Sequence, residues 1–185
     1  IWTSTQGSFP ARQNTSAVLG HPISRIKVTA SEIGGGFGGK IAIYLEPVAA
    51  LLARKSGKPV KVQMDRADVF EATGPTPGTS IRAKLGATKD GRIVAAIADM
   101  AYETGGYPIS TPANYATMVA FSCYDIENLK MDGWDVVVNK PRTQDYRAPS
   151  SPAAAFAIEQ LVDELSEKLG IDPLALRLKN SAREG

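Results

Sequence analysis

Five glycines surround one phenylalanine in the run Gly34-Gly35-Gly36-Phe37-Gly38-Gly39-Lys40. A backbone this bare has almost no side chains to hold a ligand away, and glycine also tolerates positive φ. The N–H groups of such a loop can form an anion-binding concavity. Phe37 would project from it. The run follows an apolar stretch, Ile26 to Ile33, and precedes a helical pattern, Leu45 to Ser56. Glycine loops between a strand and a helix hold phosphorylated cofactors in α/β proteins. A loop that only makes a tight turn is the simpler alternative, but five glycines cost more chain entropy than a turn requires.

Composition narrows the classes. The 185 residues suit one domain, with 43% hydrophobic and 22% charged residues, as expected of a globular chain. The net charge of +2 comes without a basic run, which argues against nucleic acid as a partner. Cys123 and His21 are the sole residues of their types. They cannot build a disulfide framework, a zinc site or an iron–sulfur site, so a metal would arrive inside a cofactor. No apolar run is long enough to cross a bilayer. The chain begins Ile1-Trp2-Thr3 in a strand-like run, and the expectation is a piece of a longer polypeptide.

Along the chain, strands are expected at Ile1–Thr5, Arg25–Ile33, Val60–Met64, Ser80–Leu85, Ile93–Tyr102 and Met131–Val138. Helices are expected at Phe9–Leu19, over Leu45–Ser56 with Val48, Leu51 and Leu52 buried, and at Ala153–Leu169 with Phe156, Leu161, Val162, Leu165 and Leu169 on one side. Asp172-Pro173 opens a last helix through Asn180, Lys89-Asp90-Gly91-Arg92 predicts a hairpin, and Gly105–Cys123 and Lys140–Ser151 are loop-like. The class is α+β (mixed α/β), sheets with packed helices, in one domain over 1–185 with possible sub-units 1–75 and 76–185.

Gly34-x-Gly36-x-x-Gly39 also satisfies the dinucleotide pattern G-x-G-x-x-G, with Asp65 ending the next expected strand. Two details oppose it. Lys40-Ile41-Ala42-Ile43-Tyr44 separates the glycines from the helix, and Phe37 puts a ring where close approach is needed.

Four segments, in order, carry a resemblance. They are Trp2-Thr3-Ser4-Thr5-Gln6, the glycine run to Lys40, Tyr146-Arg147-Ala148-Pro149, and Leu169-Gly170-Ile171-Asp172-Pro173-Leu174-Ala175-Leu176-Arg177 with Lys179-Asn180. The chain resembles the molybdenum-cofactor-binding subunit of the xanthine dehydrogenase and aldehyde oxidase family. The resemblance implies a molybdenum hydroxylase, an enzyme that adds water-derived oxygen to an aldehyde or an N-heterocycle. It implies a molybdenum–molybdopterin cofactor, in the cytosine dinucleotide form, with iron–sulfur clusters and FAD on partner domains or subunits. It also implies a small-molecule substrate, the rest of the catalytic subunit as a partner, and a cytoplasmic location. Gln6, Phe37 and Arg147 take the catalytic positions. Gln6, Gly35, Gly36, Phe37, Gly38, Arg147 and Ala148 take the cofactor-binding ones, and the N–H groups after Phe37 help hold the cofactor. An amide donates without bringing charge, and a guanidinium offers a fixed fork of donors. No side chain here binds molybdenum directly.

His21 reads instead as a turn residue, Cys123 as a small buried hydrophobe, and Glu159, Asp163 and Glu164 as the solvated face of a helix. Ile41 stands where purine-oxidising members carry glutamate, and Ala148 where the carbon monoxide branch carries cysteine. Ser150 replaces a common glycine. The family's general base, a glutamate in a Gly-x-Gly-Glu-like segment, has no counterpart, so this chain alone is expected to be inactive. A dinucleotide-binding domain and a non-enzymatic relative are the alternatives.

Overall fold

The computed structural model describes residues 1–108 and 110–183; Ile109, inside an expected loop, and the last two residues lie outside it. The chain divides into two compact units, residues 1–75 with 144–147, and residues 76–143 with 148–185.

In the first unit, β1 (Trp2–Thr3) and β2 (Thr29–Ala30) pair in parallel, Trp2 opposite Thr29. Helix α1 (Ser8–Leu19) ends where Gly20 turns left-handed at φ 57° and its N–H reaches the last carbonyls. Helix α2 (Glu46–Ser56) packs against α1, starts with Pro47 in its first turn and stops at Gly57, φ 66°. Helix α3 (Arg66–Ala72) carries a capping box: Asp68 N–H donates to Asp65 Oδ1 at 2.9 Å, and Asp65 N–H to Asp68 Oδ2 at 3.0 Å.

Several expectations fail in this unit. The strand expected over Arg25–Ile33 shrinks to Thr29–Ala30 behind a 3-10 turn at Ile23–Arg25. Residues 60–64 form no strand; apolar character alone does not make one without a ladder partner. Val48 and Leu52 are exposed, because α2 buries the side carrying Pro47. The strand–loop–helix–strand unit that a dinucleotide site needs is therefore absent, and Asp65 is the N-cap of α3.

The second unit is a three-stranded sheet, ordered β3 (Thr79–Ala87), β4 (Ile93–Gly105), β5 (Asn128–Val137). β3 and β4 are the expected antiparallel hairpin, turning at Gly91 with φ 87°. β5 runs parallel to β4. Alternate β4 residues Ala96, Ala98, Met100 and Tyr102 face inward, against Ala113, Ala116 and Phe121 of the α4 region and Ala154 and Ile158 of α5. Helix α4 (Pro112–Val119) occupies the stretch expected to be loop. Helix α5 (Ser151–Leu169) buries Ala154, Ile158, Val162 and Ser166; of the expected stripe Val162 is buried and Leu161, Leu165 and Leu169 are half-buried, whereas Phe156 is 72% exposed. The small residues let α5 approach the sheet closely, and the larger ring faces out.

Helix α6 (Pro173–Asn180) packs on α5 and accounts for the fourth segment. Asp172 caps it, its Oδ1 accepting from Ala175 N–H at 2.8 Å. Arg177 binds Glu159 and Asp163 of α5, each at 2.8 Å. Asn180 is buried; its Oδ1 accepts from Ile93 N–H and its Nδ2 donates to the carbonyls of Gly91 and Leu176, all at 2.8 Å. This part of the resemblance is therefore structural, stapling a helix to the hairpin turn.

Candidate functional site

Gln6 leaves β1 just after Thr5, whose buried hydroxyl donates to the Lys40 carbonyl. The Gln6 backbone N–H donates to the same carbonyl at 2.9 Å. The side chain then turns into the glycine loop. Its Oε1 accepts from Gly38 N–H at 3.0 Å and from Lys40 N–H at 3.1 Å. Those two bonds settle which end of the amide faces the loop. Nε2, a two-proton donor, has no partner among the described residues.

Space at the loop is as tight as its glycines suggest. A Cβ on Gly36 would fall on the Gln6 amide carbon and Oε1. A Cβ on Gly35 would lie 2.8 Å from the Phe37 ring. Gly38 has φ 93°, and a Cβ there would come within 2.6 Å of the Asp145 carbonyl oxygen. Phe37 itself adopts φ 51° with its ring 61% exposed. A left-handed phenylalanine is strained backbone of the kind that marks functional loops.

Residues 144–147, which include the start of the third segment, bond the loop. Arg147 N–H donates to the Phe37 carbonyl at 2.9 Å. Gln144, 8% exposed, donates from Nε2 to the Gly38 carbonyl at 3.4 Å, and its N–H reaches the Pro75 carbonyl at 2.9 Å. Gln6, Gly35, Gly36, Phe37, Gly38 and Arg147 are thus brought together in one unit. Ala148, with φ 53°, belongs to the other. Ser150 sits at φ 63° before α5, the conformation glycine adopts without strain.

The donors are distributed differently from the expectation. The N–H groups after Phe37 are already engaged: Gly38 and Lys40 by Gln6 Oε1, Gly39 by the Gly36 carbonyl, Ile41 by the Gly38 carbonyl. Within the loop 34–41, the backbone N–H groups with no partner among the described residues are those of residues 34–37. Gln6 Nε2 and the exposed Arg147 guanidinium are likewise donors that no carboxylate pairs among the described residues. Such donors suit an oxygen-rich anionic ligand. No group of His, Cys, Asp or Glu among the described residues could hold a bare metal ion.

Two roles escaped the sequence. Gln144 gave no signal, since its side chain acts from a polar loop. Lys40 was visible as the end of the glycine run but had no assigned task; its ammonium donates to Ser4 Oγ at 2.8 Å and also to the Ile33 carbonyl. His21 lines a cleft of about 390 Å³ with Arg25, Lys27 and Arg54. Cys123 is exposed, not buried. Glu159 and Asp163 are paired, not merely solvated. Burial, then the Glu159 carboxylate that accepts from its hydroxyl at 2.7 Å, pushes Tyr124 up. Partial burial opposes the charge on Arg177, but its bonds to Asp163 and Glu159 outweigh that and hold it higher still. A groove of about 690 Å³ lies between α4 and β5 and includes none of the loop residues.

The sequence profile of the molybdopterin cofactor-binding domain matches residues 1–181. Over 187 residues the chain is 31% identical to the nicotinate dehydrogenase large molybdopterin subunit of Eubacterium barkeri, covering 100% of this chain and 44% of that protein. It is 31% identical to the aldehyde oxidoreductase molybdenum-binding subunit of Escherichia coli, covering 99% of this chain and 25% of the relative. Quinoline 2-oxidoreductase from Pseudomonas putida 86 superposes with a TM-score of 0.92 at 26% identity, over 98% of this chain and 24% of that one. The chain spans a quarter to under half of the length of these proteins.

Proposed function

We propose that this chain, which belongs to the molybdopterin cofactor-binding domain family, forms the part of a molybdenum hydroxylase catalytic subunit in which Gln6, the loop at 34–38 and Arg147 hold the cofactor. The observation that carries the reading is the Gln6 amide. Two backbone N–H groups fix its oxygen, which leaves Nε2 as an oriented, uncharged donor. The open N–H groups of residues 34–37 and the Arg147 guanidinium supply further donors, and their chemistry fits the oxygens and phosphate of molybdopterin. When bound, that group supplies the redox chemistry that inserts a water-derived oxygen into a C–H bond. The residues of this chain bind and orient it, and the exposed Phe37 ring offers a face for a flat substrate.

The names of the relatives favour an aldehyde or an N-heterocycle as substrate. The cytosine dinucleotide form of the pterin, iron–sulfur and FAD centres on partner domains or subunits, and a cytoplasmic location complete the proposal. No described helix is long and apolar enough to cross a membrane. The exposed rings of Trp2, Phe9, Phe70 and Phe156, 72–82% accessible, support the remainder of the subunit as a partner that covers them. Catalysis is assigned to the complete subunit, with its general base outside these residues.

The test is the full-length subunit, purified from its own host with and without Gln6→Ala. Near-stoichiometric molybdenum and pterin in the parent, with aldehyde or N-heterocycle oxidation that falls about a hundredfold in the variant, is expected. A folded parent without molybdenum would overturn the reading.

A further inference from the structure

Lys40 touches three successive residues of the segment that delivers Gln6. Its ammonium donates to Ser4 Oγ at 2.8 Å, its carbonyl accepts from the Thr5 hydroxyl at 3.3 Å and from Gln6 N–H at 2.9 Å, and its own N–H donates to Gln6 Oε1 at 3.1 Å. The same ammonium also bonds the Ile33 carbonyl, immediately before the glycine run. Ser4 completes the tie, its hydroxyl donating to the Glu32 carbonyl at 3.0 Å. One side chain therefore joins the last residue of the loop to the residue that opens it, and both to the end of β1.

A lysine at the edge of a glycine loop can instead serve as a cation for a bound anion. An ammonium has three protons, and here two are spent on Ser4 and Ile33. The geometry is that of a clamp. Without it a run of five glycines has little to hold it in one shape, because glycine loses more freedom on ordering than any other residue.

We propose that Lys40 is the positioning residue of Gln6: its ammonium closes the glycine loop on itself, and that closure sets where the Gln6 amide points. The catalytic consequence rests on the function proposed above; the clamp itself does not.

The experiment uses the full-length subunit with Lys40→Met, which keeps the stem and removes the donors, and with Ser4→Ala, which removes one acceptor should the first variant fold poorly. Amide hydrogen exchange is followed over residues 33–41, with α1 and α2 as internal references. Molybdenum content, kcat, KM and the molybdenum electron paramagnetic resonance spectrum are read on the same samples. Exchange at Gly38 and Lys40 should quicken about tenfold or more, as expected when a hydrogen bond to a charged group is lost. Per molybdenum, kcat should fall about tenfold or more with KM little changed and the spectrum altered. Parental exchange at Gly38 and Lys40 in both variants would overturn the clamp, whatever the activity. Faster exchange with parental kcat and spectrum would overturn the positioning role. Loss of molybdenum with an unchanged rate per remaining molybdenum would also overturn it, making Lys40 a residue that holds the cofactor. A parent without molybdenum refutes the proposed function instead and leaves the clamp to be decided by exchange.

Discussion

Gly36→Ala separates the two reasons a loop can need glycine. Gly36 is not among the glycines with positive φ, so alanine brings no conformational penalty there. The demand is for space: the new methyl would lie 2.4 Å from the Gln6 amide carbon and Oε1 and 2.5 Å from its Cγ. Gln6 must swing out and release the bonds at 3.0 and 3.1 Å from Gly38 and Lys40. A displacement of the amide by about 1 Å or more costs about a hundredfold in a rate that depends on its placement. Gln6 is exposed, so water takes over the freed N–H groups and global stability falls by only about 1 kcal/mol or less. Gly34→Ala is the control. Its Cβ would meet nothing within 4 Å, but φ is 69°, so left-handed strain costs about 1–2 kcal/mol of stability and Gln6 stays in place. Urea unfolding and kcat/KM per bound molybdenum, measured on the complete subunit, should therefore cross: Gly36→Ala loses rate, Gly34→Ala loses stability. Parental kcat/KM in Gly36→Ala would refute the argument, as would a larger rate loss in Gly34→Ala.

Other outcomes follow from the second unit. Asn180→Ala strands two buried backbone groups, the Ile93 N–H and the Gly91 carbonyl, and should cost about 2 kcal/mol or more in urea unfolding; Asn180→Asp should fare little better, since a carboxylate cannot donate to two carbonyls. Ser150→Gly relieves a left-handed serine with a buried, unpartnered hydroxyl and should raise stability by about 1 kcal/mol. Asp90 is held at about 2, below its ordinary 3.8, chiefly by the hydrogen bond from Lys179 and then by Thr88. Its folded-state value is the lower one, so its contribution is complete above pH 3.8 and disappears as pH falls towards about 2. In Lys179→Met, the Asp90 carboxyl followed by NMR should titrate nearer 3.8 and that acid-side loss should shrink; an unmoved titration would remove Lys179 as the cause.

The long elements were legible because their signals are local. Gly20, Gly57 and Gly170 stop helices in left-handed geometry, and Asp90-Gly91 turns the hairpin. The short elements were not. Thr29–Ala30 is a strand only because β1 lies beside it, and no window of sequence contains that pairing. Helix α4 was hidden by Pro112, which reads as a breaker but occupies the first helical turn, where its missing N–H costs nothing. On α5 the expected face held at Val162 and failed at Phe156, because apolar size was taken for burial, whereas Ala154 and Ser166 are inside and Phe156 is out. At the candidate site, segments distant in sequence meet, Gln6 and Arg147 both bonding the glycine run. Which N–H groups remain open could not be read, since Gln6, 32 residues from Gly38, consumes two of them.

The segment at 144–147 gives the site a schedule. Gln144 and the Gly38 carbonyl it meets are 106 residues apart. At ribosomal rates of about 5–20 residues per second, that separation is about 5–20 s of synthesis. During that interval the glycine loop and Gln6 exist as nascent chain, but Arg147 does not. A cofactor delivered early would meet half of its donors and a loop free to open. On the proposed function, loading belongs after residues 144–147 have been made, and a slow codon or a pause between these segments would lengthen the vulnerable window without changing a single residue of the finished site.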